Sequence, residues 1–192
     1  MEHRKLSMDE LNRISPEEYK TKKKTPFIFV LDNIRSMNNV GSFFRTADAF
    51  RIESIHLCGI TATPPNKEIH KTALGSTETV DWKYFENTLD SVAWLKSEGF
   101  MVYAVEQVVS PIFLHEFKIG EHTKNAFVFG NEVFGVSDEV IAICDGCIEI
   151  PQIGTKHSLN VSVSAGMVIW EAYSQWLCCP KSSSPKSQTS DN

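Results

Sequence analysis

The sequence predicts an α/β domain with a mostly parallel sheet and helices on both faces, and three observations carry that expectation. Runs rich in β-branched and aromatic residues, among them FIFVLDN, SIHLCGI, FMVYAVEQ and NAFVFGNE, lack clean polar alternation, as strands buried on both faces do. Segments with helical spacing fall between these runs, the order that builds crossover connections. A hydrophobic fraction of 42% over 192 residues supplies enough apolar surface for one sizeable core.

The elements follow in order. The first 25 residues are charged and end in KTKKKTP, a lysine run closed by proline; a solvated arm and an arm that contacts phosphate both remain open. FIFVLDN reads as the first strand. A helix follows over about 39–51, with asparagine as its cap and Val40, Phe43, Phe44, Ala47 and Phe50 on one stripe. SIHLCGI is the next strand, a polar stretch leads to ALG, and SVAWLKSEG is a helix before the strand FMVYAVEQ. NAFVFGNE is a strand ending at Gly130, SDEVIAICD a helix beginning near Ser137, and CIEIPQIG a strand ending at Ile150. A long helix from about Ser158 to Leu177 closes the domain. The last dozen residues, KSSSPKSQTSDN, have no apolar anchor and are expected to be disordered. The predicted organisation is an arm at 1–25, one domain at 26–178 and a tail at 179–192.

Charge and composition exclude several classes. A net charge of −5 argues against a surface built wholly for nucleic acid, yet leaves a local basic patch open. No apolar run approaches the roughly 20 residues that span a bilayer, so a soluble cytoplasmic protein without a membrane partner is expected. Five cysteines form an odd set that fits a reducing compartment. CDGC at 144–147 has C-x2-C spacing, but no second ligand pair completes a zinc site, and no metal is expected. Neither a G-x-G-x-x-G fingerprint nor a P-loop lysine is present. Ser158 beside His157 lacks the G-x-S-x-G elbow of a hydrolase.

Ligands of parallel sheets collect at the carboxyl ends of the strands, and three loops there carry more polar and glycine residues than a connection needs. In LDNIRSMNNVGSFFRT, Asn39 and Gly41 open a helix whose N–H groups favour an anion such as phosphate. Arg45 lies off the apolar stripe, where it either projects to the same mouth or pairs with a surface carboxylate. In VFGNEVFGVSDEV, Gly130 lets backbone approach a ligand, and Glu132 and Gly135 precede the next helix. In EIPQIGTKHSLNVSVSAG, Pro151 and Gly154 shape a loop, Ser158 is placed to cap a helix, and Asn160 falls in its first turn. Ser162, Ser164, Ala165 and Gly166 then permit close packing.

Taken together, NNVGSFFRTADAF, FGNEVFGVSDEV and IPQIGTKHSLNVSVSAG resemble, in order and separation, the three motifs of the SpoU (TrmH-like) branch of the SPOUT RNA methyltransferases. The resemblance covers 26–178. It implies a deep trefoil knot at the C-terminal end of the α/β fold, S-adenosylmethionine as methyl donor, a homodimer, and transfer to a ribose 2′-hydroxyl of tRNA or rRNA. Some rRNA-modifying relatives carry an extra N-terminal RNA-binding domain, and the short segment here tilts the expectation toward tRNA. Asn39 and Arg45 match the first motif's pair, Glu132 the second motif's acid, and Ser158 and Asn160 the third motif's polar pair; these are the expected catalytic residues. Gly130, Ile150 and Leu159 match positions lining the donor, and the strand end around Val105 and Glu106 should border it. The family proposal makes the arginine a base. A guanidinium stays protonated, so clamping phosphate and stabilising a developing alkoxide suits its chemistry better. The alternative reading is a non-catalytic RNA-binding or assembly module that retains the fold; it would tolerate loss of Arg45 or Asn160, and both are present.

Overall fold

Strand β1 (Thr25–Asp32) is an interior strand of a seven-stranded parallel sheet in the computed structural model, which describes residues 3–120 and 124–178. The other strands are β2 (Ile52–Cys58), β3 (Trp82–Phe85), β4 (Phe100–Val105), β5 (Ile112–Phe113), β6 (Lys124–Phe129) and β7 (Gly146–Glu149). Their order is β3-β2-β1-β6-β4-β7-β5, and each neighbouring pair runs parallel. The helices are α1 (Pro16–Thr21), α2 (Met37–Phe50), α3 (Lys67–Ala73), α4 (Thr88–Ser97), α5 (Asp138–Ile143) and α6 (Val161–Cys178). The tail expected at 179–192 lies outside the described residues.

The absence of polar alternation in the central strands has a direct cause. Phe27, Phe29, Leu31, Phe127 and Phe129 face one side, where α2 and α6 cover them with Val40, Phe43, Phe44, Ala165, Val168 and Ile169. Ile28, Val30, Ala126 and Val128 face the other, against Val92 and Leu95 of α4 and Val140 of α5. Phe29, Phe43 and Phe129 meet edge-on with ring centroids 5.2–5.5 Å apart, a geometry favoured by the ring quadrupoles.

Local differences from the sequence expectations have physical reasons. Helix α2 starts two residues early, because Ser36 is its cap and its Oγ accepts the Asn39 N–H at 3.3 Å. Gly41 serves packing: a Cβ there would collide with Thr72 Oγ1 and the Ile69 carbonyl of α3. Helix α6 starts at Val161 and its cap is Asn160, whose Oδ1 accepts the Ser162 N–H at 2.9 Å; Ser158 lies outside the helix. Strand β7 stops at Glu149, one residue before Ile150. The polar stretch before ALG contains α3.

The N-terminal segment is not uniformly solvated. Ser15 caps α1 by accepting the Glu18 N–H, and Tyr19 is buried in the core beneath α2. The Lys24 ammonium sits 3.5 Å over the Tyr19 ring, and Lys22 pairs with Glu18 at 3.0 Å. Of the lysine run, two members thus have partners within the segment itself.

Candidate active site

The carboxyl ends of β1, β6, β4 and β7 lie side by side, with Leu31 paired to Phe129, Phe129 to Val105, and Val105 to Ile148. A cleft of about 560 Å³ opens at β6, β4 and β7. Gly130, Glu132, Ile150, Ser158, Leu159 and Asn160 all line it, so six expected residues from two distant loops share one cavity. Asn39 stands behind this wall, and Arg45 lies outside it.

The loop after β6 is built on Asn131. Its Nδ2 donates to the Asn33 carbonyl at 2.7 Å, while its Oδ1 accepts the N–H groups of Val133 and Phe134 at 2.9 and 3.2 Å. Backbone hydrogen bonds between Asn131 and Gly135, 3.0 and 2.8 Å, close the turn. A side chain at Gly130 would strike the backbone of Gly135 and Val136, and Gly135 itself has φ +69°, in the left-handed region.

Glu132 points back from this turn and joins the loops. It accepts the Arg35 N–H at 2.9 Å, the Ser36 N–H at 3.0 Å and the Asn39 Nδ2 at 2.9 Å. Partial burial opposes its charge, but the Arg35 N–H, the Asn39 amide and the Ser36 N–H outweigh that cost and hold its carboxyl below the usual range. Asn39, itself buried, uses its other end to accept Asn160 Nδ2 at 3.1 Å. A line of hydrogen bonds therefore runs Glu132, Asn39, Asn160, with one residue from each sequence motif.

Glu106, at the end of β4, accepts the Gln107 N–H at 2.9 Å and the Val136 N–H at 3.0 Å. Gln107 in turn donates to the His157 carbonyl at 2.9 Å, which fixes the loop that carries Ser158 and Leu159. Gln107 and Asn131 were not among the expected site residues. The only signal for either is position: one follows a strand end, the other precedes Glu132.

Arg45 occupies the exposed face of α2, six residues past Asn39 and thus about 9 Å farther along the helix axis. Among the described residues it has no ion-pair partner, which sets aside the surface-carboxylate pairing. In CDGC, burial pushes the Cys144 thiol up to about 12 and raises that of Cys147 as well. Among the described residues no group of three or more His, Cys, Asp or Glu side chains is arranged to hold a metal, and no helix is long and apolar enough to cross a membrane.

A parallel sheet with a cleft at its strand ends, ringed by loops that present amides and carboxylates, defines a protein of the α/β class that takes a small ligand at the strand ends. Residues 26–170 match the SpoU rRNA Methylase family, and the chain belongs to that family. It is 32% identical over 169 residues to a tRNA (guanosine(18)-2′-O)-methyltransferase of Thermus thermophilus, covering 88% of this chain and 84% of that one. Its fold matches the TrmH/SpoU tRNA modifying enzyme of A. aeolicus with a TM-score of 0.72 at 28% identity, over 83% of this chain and 79% of the other. It also matches an AdoMet-bound rRNA methyltransferase from Sinorhizobium meliloti, with a TM-score of 0.70 at 28% identity and 83% of this chain covered. There it spans 60% of the relative's length.

Proposed function

We propose that this protein is an S-adenosylmethionine-dependent RNA methyltransferase that modifies a ribose 2′-hydroxyl of tRNA or rRNA, with tRNA favoured by its likeness to the Thermus tRNA enzyme. The observation that carries the reading is the line Glu132, Asn39, Asn160, which ties three motif-bearing loops together beside one cleft.

The cleft suits the donor. Its 560 Å³ falls within the roughly 300–1,000 Å³ of small-molecule sites. Val105, Ile148, Ile150 and Leu159 offer apolar walls to a purine, and Glu106, Glu132 and Glu149 supply the sign of charge that favours a sulfonium. Gly130, Ile150 and Leu159 would hold it, largely through backbone. When bound, the donor supplies an electrophilic methyl group on sulfur. The rest of the task falls to the chain: a ribose hydroxyl is a weak nucleophile at neutral pH and must be oriented and relieved of its proton. Glu132 locks the Asn39 amide, Asn39 steadies Asn160, and Asn160 with the Ser158 hydroxyl orients the ribose. Arg45 clamps a backbone phosphate with its planar fork and stabilises developing alkoxide charge.

The same reading includes a homodimer, a deep trefoil knot at the C-terminal end, a catalytic unit spanning 26–178 and residence in the cytoplasm. The dimer is supported by α6, which leaves Val163, Met167, Trp170 and Leu177 exposed along its length. The knot is supported by the path of residues 150–160, which pass the end of β4, where Gln107 holds His157, before α6 packs on α2.

Calorimetry with S-adenosylhomocysteine, without added divalent ion, is expected to give saturable binding. Incubation of unmodified tRNA or rRNA with radiolabelled donor is expected to leave a 2′-O-methyl nucleotide. Absence of binding, or a methyl group found on a base, would refute the proposal.

A further inference from the structure

The turn at 131–135 presents an aromatic ring that the chemistry above does not use. Phe134 is 83% exposed and its neighbour Val133 64%, although both line the cleft. The backbone that carries both is fixed, because the Asn131 carboxamide accepts both N–H groups and the turn is closed by backbone hydrogen bonds. A large apolar ring carried into water on a fixed backbone has its position, though not its rotamer, set in advance, which lowers the entropic cost for whatever covers it.

A cation stands on the adjoining loop. Residues 33–36 are stitched to the same turn by Asn131 Nδ2 on the Asn33 carbonyl and by the Glu132 carboxylate on the Arg35 and Ser36 N–H groups. Arg35 is exposed, and among the described residues its guanidinium makes no hydrogen bond or ion pair. A flat apolar ring and an unpaired guanidinium on two interlocked loops, at the mouth that the ribose must enter, match the two ends of one nucleotide: a base with a π face and a phosphate.

We propose that Phe134 and Arg35 form a docking subsite for one unpaired nucleotide of the RNA substrate, with Phe134 stacked on the base and Arg35 on a backbone phosphate. The inference rests on the RNA-methyltransferase reading for its substrate class. Unpaired RNA is specified because bases inside an A-form helix offer no face to an aromatic ring. A second protein chain would cover the ring yet leave the cation without use.

The test uses the full chain, a fluorescein-labelled unmodified tRNA transcript, and the variants Phe134→Ala, Phe134→Trp and Arg35→Gln. Phe134→Ala is expected to weaken RNA binding about 10-fold, and Phe134→Trp to restore it, since stacking needs a ring rather than this ring. Arg35→Gln is expected to lower the slope of log affinity against log salt by about 0.7–0.9, the loss of one phosphate contact. Affinity for S-adenosylhomocysteine, melting temperature and particle mass should stay at wild-type values. RNA affinity unmoved by Phe134→Ala would overturn the subsite. So would weakened S-adenosylhomocysteine binding, which would put the ring on the donor, or a smaller particle mass, which would put it in a protein contact. Wild-type RNA binding without methyl transfer would remove the catalytic reading and leave this one standing.

Discussion

Replacing Glu132 by glutamine is the sharpest test of the line that joins the three loops. The carboxylate accepts one hydrogen bond on Oε2, from Arg35, and two on Oε1, from Ser36 and Asn39. Glutamine keeps the shape but has a single acceptor oxygen, and its NH₂ only donates. With the oxygen toward Ser36 and Asn39, the NH₂ meets the Arg35 N–H; turned over, it meets two donors. At least one donor therefore faces another. Hydrogen bonds to charged groups contribute about 1.5–3 kcal/mol each, and because Glu132 is an exposed residue, water offsets part of the loss and about 1.5 kcal/mol is expected. For a chain of this size that is a fall in Tm of about 3–6 °C.

The pH dependence separates this account from a general loosening of the loop. The folded carboxyl titrates below its ordinary 4.5, so its stabilisation is fully present above 4.5 and is lost as pH falls through the depressed folded value. Urea titrations of wild type and Glu132→Gln should differ in midpoint at neutral pH, and the gap should close in acid, where the wild-type side chain is itself uncharged. Because Asn39 passes the contact to Asn160, the variant should also lose more methyl transfer than its stability explains. Equal midpoints at neutral pH, or a gap that persists unchanged in acid, would refute the reasoning.

Two further outcomes bear on the remaining assignments. Light scattering at micromolar concentration should give twice the 21.6 kDa chain mass, and a monomer would remove the role assigned to the apolar face of α6. Arg45→Ala should leave melting temperature and donor affinity unaltered, since the side chain is exposed, but cut single-turnover methyl transfer by about 100-fold or more. Arg45→Lys should also be slow, because an ammonium keeps the charge and loses the planar fork; near-normal rates for both would make Arg45 an ordinary surface residue.

What the sequence disclosed depended on how local the determining contacts are. The strands of the central sheet are readable because burial on both faces forces continuous apolar runs such as FIFVLDN. The edge strands β3 and β5 escape notice, since WKYF is only half-buried and IF is two residues long. Helix α1 is hidden for a related reason: one buried tyrosine stands among charges. Cap positions are ambiguous in sequence where two polar residues compete: in S-M-N-N local propensity points to an asparagine, and in S-L-N to the serine. The structure chooses Ser36 and Asn160, and the contacts that decide it join residues 93 and 121 apart in the chain.

Those choices share a logic that explains why asparagine recurs at this site. A carboxamide has an acceptor end and a donor end, so one residue is able to satisfy local backbone and still reach across to another loop. Asn160 caps α6 with Oδ1 and donates to Asn39 with Nδ2. Asn131 holds its own turn with Oδ1 and secures the Asn33 carbonyl with Nδ2. Asn39, relieved of capping by Ser36, spends both ends on the other two motifs. Aspartate would serve as cap or turn residue equally well and supply no donor, so the loops would keep their individual shapes and lose their common alignment. Residue type at these positions therefore reports the joining of loops, a tertiary requirement, through side chains whose local propensities point only to turns and helix starts.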